Sequence, residues 1–429
     1  MLEQFETRFA QLGYAAPTAI QTAVYEPMID GGSDIVALSP TGSGKTVAFL
    51  MPILANLLAG GGPQVIILEP SQELAMQVTN VIRAWAGPFH AQVLPIIGGA
   101  NVKRQQEKLK KRPEIIVGTP GRVLNLLQDR KLKPQGIETV VVDEADDLLQ
   151  DDSRAKVRAI VGTVPRDAQV AYFSATDSDV LHHLETEMGK PATVIDVRKQ
   201  DQSRGVVRHG QFEVSRGKRN DVLNRLTKLP NFKALVFFNQ SQDLNRAYNF
   251  FKHQGYAPVE KLSGSETKMQ RERALKAFRK GQFKLLLTTD VAARGLDIPK
   301  LPAVINYDLP GDATTYIHRV GRTGRMGEPG LVINFGDDHD LRDLKKCLRD
   351  TDYDLQPIYY YRGKLVDHVE APAGANPAQP KPTTTATQPA STTRPGTPTQ
   401  PVVSNPPKQR KRKKNRRRDQ KNKGKHWPK

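Results

Sequence analysis

IVALSPTGSGKT, residues 35–46, joins an apolar run to a glycine-rich loop, and a helical pattern begins directly after it near Val47. Glycines let successive backbone N–H groups turn toward phosphate oxygens, and the N-terminus of the following helix adds a favourable dipole. The pattern predicts that Lys45 reaches the β- and γ-phosphates of a nucleotide and that the Thr46 hydroxyl ligates Mg²⁺. The alternative is a glycine turn with an incidental Lys-Thr, and the strand before and helix after it argue against that reading.

Similar short, β-branched apolar runs recur along the chain and end in small or polar residues. Runs without apolar and polar alternation predict strands that are buried on both faces, as in a parallel sheet. Apolar residues at helical spacing between Leu74 and Trp85 indicate that helices alternate with these strands. We predict strands at residues 65–68, 115–117, 140–142, 170–173, 235–238, 285–287, 304–305 and 331–333.

The alternation of strand and helix occurs twice, which predicts two α/β domains with parallel sheets at residues 1–200 and 206–365. Residues 371–407 then contain ten prolines among Thr, Ala, Gln and Ser. Such a composition cannot bury enough apolar surface to fold, so we interpret this segment as a disordered linker. Residues 408–429 form a separate basic tail.

Most of the net charge of +19 lies at the C-terminal end. The last 22 residues contain thirteen Lys and Arg and one Asp, giving +12, and the linker adds +2, which leaves +5 on the first 370 residues. Thirteen cations suit nonspecific phosphate binding through counterion release. We therefore favour a tail that binds nucleic-acid phosphates, with Trp427 as a candidate base stacker, over a nuclear-import signal or a solubilising end.

The composition argues against several classes of protein. A single cysteine, Cys347, excludes an intramolecular disulfide framework and a four-cysteine zinc site, and it fits a reducing compartment. The longest apolar stretch, residues 48–58, is shorter than the ~20 residues of a membrane-spanning helix. Residues 1–9 lack the charged-then-apolar pattern of a signal peptide. We therefore expect a cytoplasmic protein with no membrane association.

A nucleotide-hydrolysing site also needs a carboxylate on the metal and a group that orients water. DEAD, residues 143–146, follows a predicted strand and so lies at the carboxyl edge of the sheet, where parallel sheets present ligands. We predict that Asp143 holds Mg²⁺ through water and that Glu144 polarises the attacking water. Taken alone, these four residues also fit a solvated helix start capped by Asp.

YIHRVGRTGR, residues 316–325, supplies candidate arginine fingers for the γ-phosphate in Arg319, Arg322 and Arg325. Gly321 and Gly324 allow a close approach. Because this segment belongs to the second predicted domain, the site is expected to be complete only when the two domains close on each other. A basic surface loop is the alternative for this segment alone.

Nine motifs in one order connect these features: SPTGSGKT, PSQELA, Gly98-Gly99, TPGR, DEAD, SAT, LVFFN, TTDVAARGLD and HRVGRTGR. In this set the chain resembles the DEAD-box ATP-dependent RNA helicase family. The resemblance implies two tandem RecA-like domains with ATP in the cleft and RNA across both. It further implies local unwinding of short duplexes, coupled to ATP binding and hydrolysis.

The resemblance also implies individual roles. Gln21 would read the adenine edge, Asp297 would accept from the ATP ribose, and Arg322 and Arg325 would be the fingers. The phosphate loop would contribute Thr41, Gly42, Ser43, Gly44, Lys45 and Thr46. Ser174, Thr176 and His318 would couple the nucleotide site to RNA. The RNA path would consist of Pro70, Gly98, Gly99, Thr119, Gly121 and Arg122 in the first domain, and Gln270, Arg273, Thr289, Arg294 and Gly295 in the second.

Three features depart from the pattern of the family. Ser71-Gln72 replaces the usual Thr-Arg and removes a cation from the RNA path, and Ser39 replaces an alanine. Only Phe5 and Phe9 lie where the family has an aromatic upstream of Gln21, and we expect both to pack in the core rather than stack on adenine.

The PSQELA variant, the short N-terminus and the basic tail resemble the bacterial cold-shock helicases of the family. This narrower resemblance implies action on structured mRNA or rRNA at low temperature, with ribosome assembly or mRNA turnover as settings and partners. Two other functions remain open on the residues alone: an ATP-gated RNA clamp that does not unwind, and a DNA translocase. Three successive tyrosines, residues 359–361, are interpreted as a strand packed on the second domain rather than as base stackers.

Overall fold

Apolar β-branched runs form the strands of two parallel sheets in the computed structural model of the chain. The structure describes residues 3–14, 16–98, 102–203, 205–256, 258–264, 266–296, 298–325 and 327–368. The predicted linker at 371–407 and basic tail at 408–429 lie outside the described residues, as do Gly99 and Asp297.

The first sheet is built from strands between residues 34 and 196, all paired in parallel. They are β1 (Asp34–Leu38), β2 (Val65–Leu68), β3 (Val93–Ile96), β4 (Ile115–Gly118), β5 (Thr139–Val142), β6 (Gln169–Ser174) and β7 (Ala192–Asp196). Across the sheet they stand in the order β3-β4-β2-β5-β6-β1-β7.

The second sheet is built from strands between residues 207 and 357, also paired in parallel. They are β8 (Val207–Glu213), β9 (Ala234–Phe238), β10 (Val259–Leu262), β11 (Leu285–Thr289), β12 (Ala303–Asn306), β13 (Gly330–Gly336) and β14 (Leu355–Pro357). Their order is β10-β11-β9-β12-β13-β8-β14. Counted along the chain within each sheet, both orders read 3-4-2-5-6-1-7, so the same topology occurs twice.

Helices connect the parallel strands, as such strands require. The described helices of the first half are α1 (Glu3–Leu12), α2 (Ala19–Asp30), α3 (Lys45–Asn56), α4 (Gln72–Trp85), α5 (Val102–Leu109), α6 (Pro120–Gln128), α7 (Ala145–Leu148), α8 (Asp151–Val161), α9 (Asp179–His182) and α10 (Leu184–Met188). Those of the second half are α11 (Arg219–Leu226), α12 (Ser241–Gln254), α13 (Lys268–Arg279), α14 (Asp290–Ala293), α15 (Ala313–Val320) and α16 (Asp338–Cys347).

The strands of the first sheet bury alternate side chains on opposite faces. Ile67 and Val141 belong to the core that packs against α3 and α4, whereas Leu68 and Val142 belong to the core that packs against α6 and α8. Each fully buried valine of this kind contributes about 1.5–3 kcal/mol relative to an exposed one. The second sheet has the same two-faced arrangement of cores. The predicted α/β class with two parallel sheets is therefore confirmed.

Phe5 and Phe9 are buried in the core of the first domain, as expected from the sequence. The Phe5 ring stacks on Phe89 with centroids 5.1 Å apart, and the Phe9 ring meets Trp85 edge-on at 5.4 Å. Both rings serve to fix α1 against α4.

The tyrosine run forms β15 (Tyr359–Tyr361), which pairs antiparallel with β16 (Lys364–Val366). Tyr360 packs against the core of the second domain, as expected for a packed strand, while Tyr359 and Tyr361 point outward and are partly exposed.

Candidate functional site

The phosphate loop runs from the end of β1 into α3 and needs glycine at two positions. Gly42 has φ +85° and Gly44 has φ +90°, in the left-handed region that side chains disfavour. A Cβ on Gly44 would lie 2.5 Å from Gln21 Nε2. At the first helical position, buried Lys45 donates from Nζ to the Ser39 carbonyl at 3.4 Å. The loop therefore has the backbone geometry that the sequence predicts.

Gln21 lies against this loop and is buried in the first turn of α2. Its Nε2 donates to the Gly44 carbonyl at 3.3 Å, and its Oε1 accepts from the Thr18 amide at 2.9 Å. The amide therefore fixes the start of α2 to the phosphate loop.

Asp143 and Glu144 follow β5 in a strained turn. Glu144 adopts φ 48°, a left-handed conformation that costs about 1–3 kcal/mol for a residue of this type and is concentrated at functional sites. Asp143 is buried, and its Oδ1 accepts from the Glu144 amide at 2.9 Å. Burial and the charge of Glu144 raise the pKa of Asp143 to about 7, although nearby Lys45 lowers it. The site thus holds closely spaced acidic groups beside one lysine.

Glu69, at the end of β2, is a further buried acid that the sequence analysis did not single out. Its side chain is 0% exposed, and neither carboxylate oxygen has a hydrogen-bond partner among the described residues. Burial, then the charges of Asp143 and Glu144, raise its pKa well above the usual range. Its position directly after a buried strand was the available signal.

Asp146 connects the two domains. It accepts a hydrogen bond from the Thr176 hydroxyl, and its Oδ2 lies 3.0 Å from His318 Nε2 of the second domain. Burial alone would raise the pKa of Asp146, but His318, Thr176 and Lys45 together hold it below its usual value. Burial would lower the pKa of His318, yet the hydrogen bond and charge of Asp146 raise it. Ser174 supports this arrangement by donating to the Thr176 carbonyl at 2.6 Å.

The HRVGRTGR segment faces the phosphate loop. A Cβ on Gly42 would lie 3.2 Å from Arg325 Cγ, and a Cβ on Gly321 would lie 2.1 Å from Thr41 Oγ1. Arg325 Nε donates to the Gly321 carbonyl at 2.7 Å, and Arg322 Nη1 donates to the Leu296 carbonyl at 3.2 Å. The structure thus brings Arg325 and the loop together across the cleft.

Two family profiles match the chain: DEAD/DEAH box helicase over residues 18–184, and helicase conserved C-terminal domain over residues 217–327. A Bacillus subtilis protein, probable ATP-dependent RNA helicase YfmL, is 38% identical over 82% of this chain and 93% of its own length. The chain belongs to the DEAD-box ATP-dependent RNA helicases. It is therefore an ATP-hydrolysing enzyme that acts on RNA.

Other relatives agree with this assignment. The DEAD-box ATP-dependent RNA helicase CshC of Bacillus cereus is 34% identical over 85% of this helicase and 94% of its own length. The structure of S. cerevisiae Dbp5 bound to RNA and ADP BeF3 aligns with a TM-score of 0.73 at 30% identity, covering 83% of this chain and 94% of that one. The two sheets are therefore RecA-like domains, as the motif resemblance implied.

In the first domain of the helicase, the predicted RNA-path residues lie after β2 and between β3 and α6. Pro70 follows Glu69, and a Cβ on Gly98 would lie 3.1 Å from Gln72 Nε2. Arg122 Nε donates to Gln105 Oε1 at 3.2 Å. Thr119 is the residue before α6, and Gly121 lies in its first turn. Ser71 caps α4, with its hydroxyl accepting from the Leu74 amide at 3.2 Å.

In the second domain, the predicted RNA-path residues occupy two surfaces. Arg294 pairs with Asp147 of the first domain at 2.9 Å, and Gly295 lies so close to α4 that a Cβ would be 2.7 Å from the Leu74 amide nitrogen. Buried Thr289 ends β11 just before them. Gln270 and Arg273 instead line a groove of about 510 Å³ beside β10, with Lys261 and Phe283 among its walls.

Arg271, between Gln270 and Arg273, is a domain contact that the motif assignment missed. Its Nη2 donates to the Ala292 carbonyl at 2.9 Å, and its Nε lies 3.4 Å from Glu73 Oε1 of the first domain. Gln270 itself closes a capping box with Thr267 at the start of α13.

The donor set suits Mg²⁺, which prefers oxygen ligands and retains several waters. Thr46 offers a hydroxyl in the first turn of α3, and Asp143 offers a buried carboxylate close to Lys45. Glu144, Asp146 and His318 also present ligand atoms within 4.8 Å of one another, but an imidazole is a poor Mg²⁺ ligand.

Among the described residues, no helix of the helicase is long and apolar enough to cross a membrane.

Proposed function

We propose that this helicase binds Mg²⁺ and ATP in the cleft between its domains, holds RNA across both, and locally unwinds short duplexes as ATP is bound and hydrolysed. The observation that carries this is the contact of the phosphate loop with the HRVGRTGR segment, through Gly42 with Arg325 and Thr41 with Gly321. Phosphoryl transfer needs both positioning and charge neutralisation, and this contact brings the two together.

The proposal assigns the ATP chemistry to few residues. Lys45 and the loop residues Thr41 to Thr46 hold the phosphates, while Thr46 and Asp143 hold Mg²⁺, which when bound would neutralise charge on the β- and γ-phosphates. Glu144 orients and polarises the attacking water. Arg322 and Arg325 place positive charge at the γ-phosphate. Gln21 reads the adenine edge, and Asp297, outside the described residues, accepts from the ribose.

RNA binding is proposed to rest on backbone contacts, which carry no sequence information but can use 2′-hydroxyls to distinguish RNA from DNA. Ser174, Thr176 and His318 couple this path to the nucleotide, since Asp146 touches both Thr176 and His318. The contacts are assigned to Pro70, Gly98, Gly99, Thr119, Gly121, Arg122, Gln270, Arg273, Thr289, Arg294 and Gly295.

The test is the Glu144→Gln variant. Loss of the water-polarising carboxylate should lower RNA-stimulated ATP hydrolysis about 10²–10⁴-fold while RNA binding with a nonhydrolysable ATP analogue persists. Exposed Glu107→Gln on α5 is the matched control and should hydrolyse ATP at the normal rate. Undiminished hydrolysis by E144Q would refute the assignment of Glu144.

A duplex-unwinding assay on the unaltered protein separates unwinding from clamping. Comparing the stimulation of ATP hydrolysis by RNA and by DNA of equal length tests the choice of nucleic acid.

We further propose a cytoplasmic role in cold-shock remodelling of structured mRNA or rRNA, in ribosome assembly or mRNA turnover. The PSQELA motif, the basic tail and the similarity to CshC support it. Crosslinking and sequencing of the RNA bound in cells before and after a temperature drop would test it. Recovery of neither structured mRNA nor rRNA would overturn the proposal.

The proposed domain layout is residues 1–200 and 206–365, with the linker at 371–407 and an RNA-binding tail at 408–429.

Deleting the tail removes a charge of +12. RNA affinity should fall and depend less steeply on salt, since each neutralised phosphate adds about 0.7–0.9 to the slope of log K against log salt. ATP turnover at saturating RNA should stay the same. Loss of turnover even at saturation would contradict a tethering role.

A further inference from the structure

The strand register places Glu69 beside Asp143. Ile67 pairs with Val141 and Leu68 with Val142, and the Asp143 amide donates to the Leu68 carbonyl at 3.1 Å. Because alternate residues share a face, Glu69 and Asp143 lie on the same side of the sheet as Ile67 and Val141. That side packs against α3, which begins with Lys45 and Thr46. Glu69 therefore joins the proposed metal side of the cleft.

The environment of Glu69 differs from that of a structural buried acid. Glu114 is also buried, but its two carboxylate oxygens accept from the amides of Gly60 and Gln92, each at 2.8 Å. Neither carboxylate oxygen of Glu69 accepts a hydrogen bond from a described residue, although the side chain is fully buried. An uncompensated buried carboxylate is costly, so Glu69 can carry its charge beside Asp143 and Glu144 only when a positive ligand balances it.

Lys45 alone cannot balance this cluster. The carboxylates of Glu69, Asp143 and Glu144 lie close to one another and to the ammonium of Lys45, which would itself hold phosphate. Asp146 also approaches Asp143, but it is paired with His318. Mg²⁺ supplies two positive charges, and the waters it retains donate hydrogen bonds to acceptors outside its direct ligands.

We propose that Glu69 is a metal-positioning residue that accepts hydrogen bonds from the water bound to the nucleotide's Mg²⁺, alongside Asp143. The inference rests on the proposed Mg²⁺ and ATP site and adds to it a carboxylate from a neighbouring strand. It predicts that Glu69 strengthens nucleotide binding only when a divalent cation is present.

The test compares the affinity of the full chain for a fluorescent ADP analogue with Mg²⁺ and with EDTA. Glu69→Gln keeps the side-chain shape but removes the charge, so the gain in affinity from Mg²⁺ should fall about 10- to 100-fold, the usual effect of losing an outer-shell partner. Affinity in EDTA should not fall. Binding of Mn²⁺ with ADP, followed by electron paramagnetic resonance, should weaken by a similar factor.

Glu114→Gln is the matched control. It alters a buried acid that holds backbone amides, so it should lower the melting temperature and leave the Mg²⁺ gain unchanged. E69Q should melt no lower than the unaltered protein in EDTA, because no hydrogen bond is lost. Glu69→Asp, which retains the charge on a shorter stem, provides a second variant with an intermediate loss of the Mg²⁺ gain.

An unchanged Mg²⁺ gain in E69Q, or in E69D if E69Q does not fold, would overturn the inference. Asp143→Asn distinguishes this from failure of the proposed site. If D143N loses the Mg²⁺ gain while E69Q keeps it, only the role of Glu69 fails. If the unaltered protein shows no Mg²⁺ gain, the proposed metal site itself fails.

Discussion

The guanidinium of Arg319 lies between strand ends of the second sheet and is 1% exposed. It binds both carboxylate oxygens of Asp290 at 2.6 and 2.7 Å, the Asn239 side chain at 2.7 Å and the Asp308 carbonyl at 2.7 Å. It also lies over the Phe237 ring at 5.2 Å. Of the three arginines that the motif offered as fingers, Arg319 therefore holds the carboxyl ends of β9, β11 and β12 together.

Replacing this residue should destabilise the fold. Arg319→Lys keeps one charge but cannot form the planar, two-pronged contact with Asp290, and it leaves Asn239 short of a donor. We expect the free energy of unfolding in urea to fall by about 1–3 kcal/mol, the cost of leaving buried polar partners without a hydrogen bond. Arg246→Lys alters a side chain that is 77% exposed and should change it by less than about 0.5 kcal/mol. Unaltered stability in R319K would contradict this structural role.

The sequence singled out individual residues where a local motif carries the predicted chemistry. Lys45, Asp143 and Glu144 each follow a buried strand within a recognisable string. Glu69 was not singled out from the sequence, and Arg319 was only one of three candidate fingers, because their neighbours in space lie far along the chain: Asn239 is 80 residues from Arg319. No spacing pattern within one segment reveals such a contact.

At the scale of elements, the C-terminus of α15 is shaped by the opposite domain. Gly321 has an ordinary φ of −64°, so its own backbone does not demand glycine. A Cβ there would nevertheless lie 2.1 Å from Thr41 Oγ1 and 2.7 Å from Thr41 Cβ. The glycine is needed for the fit of the two domains.

Gly321→Ala should therefore separate closure from folding. The added methyl group prevents the close approach to Thr41, and a displacement of about 1 Å at such a site can cost 10²-fold in rate. RNA-stimulated ATP hydrolysis should fall by that order, while the thermal midpoint stays the same. Gly311→Ala, with nothing within 4 Å of the added Cβ, is the control for both measurements. Normal hydrolysis by G321A would show that the contact with Thr41 is dispensable.

Strands were predictable from sequence where a buried run is also continuously apolar; β8, buried at its centre but rich in polar residues, was not predicted. The central strands β2, β5 and β9 are buried and apolar throughout or nearly so, and the predicted runs fall on them. The edge strands β3 and β10 are only partly buried, and β7 is mostly exposed, so their sequences lack the continuous apolar signal and were not predicted. The position of each of these strands in its sheet depends on the strand it pairs with, and the sequence does not reveal that pairing.

At the scale of the whole molecule, polar contacts between described residues join the domains, among them Asp146 with His318, Asp147 with Arg294, and Glu73 with Arg271. The first of these includes a titratable histidine. Because the pKa of His318 is raised in this arrangement, its contribution to closure is fully present below the usual histidine value and is lost as pH rises through the raised pKa. Asp146 has a lowered pKa, so its contribution is lost only in acid.

We therefore expect closure, measured by energy transfer between labels on the two domains with RNA and a nonhydrolysable ATP analogue, to weaken as pH rises through the raised pKa of His318. His318→Gln keeps a side-chain donor but cannot titrate. The H318Q variant should therefore show closure that depends little on pH. The control variant Gly311→Ala should show the same dependence of closure on pH as the unaltered protein. Identical curves for H318Q and the unaltered protein would assign the dependence to other groups.

The repeated strand order 3-4-2-5-6-1-7 has a further consequence. A phosphate loop on one copy of the fold and arginines on the other could in principle belong to separate subunits, and their meeting would then depend on protein concentration. Here one chain carries both, so the covalent connection sets a fixed local concentration of the arginines at the loop. Catalytic output per molecule should accordingly be insensitive to dilution, and the stoichiometry of loop to arginine segment is always one to one.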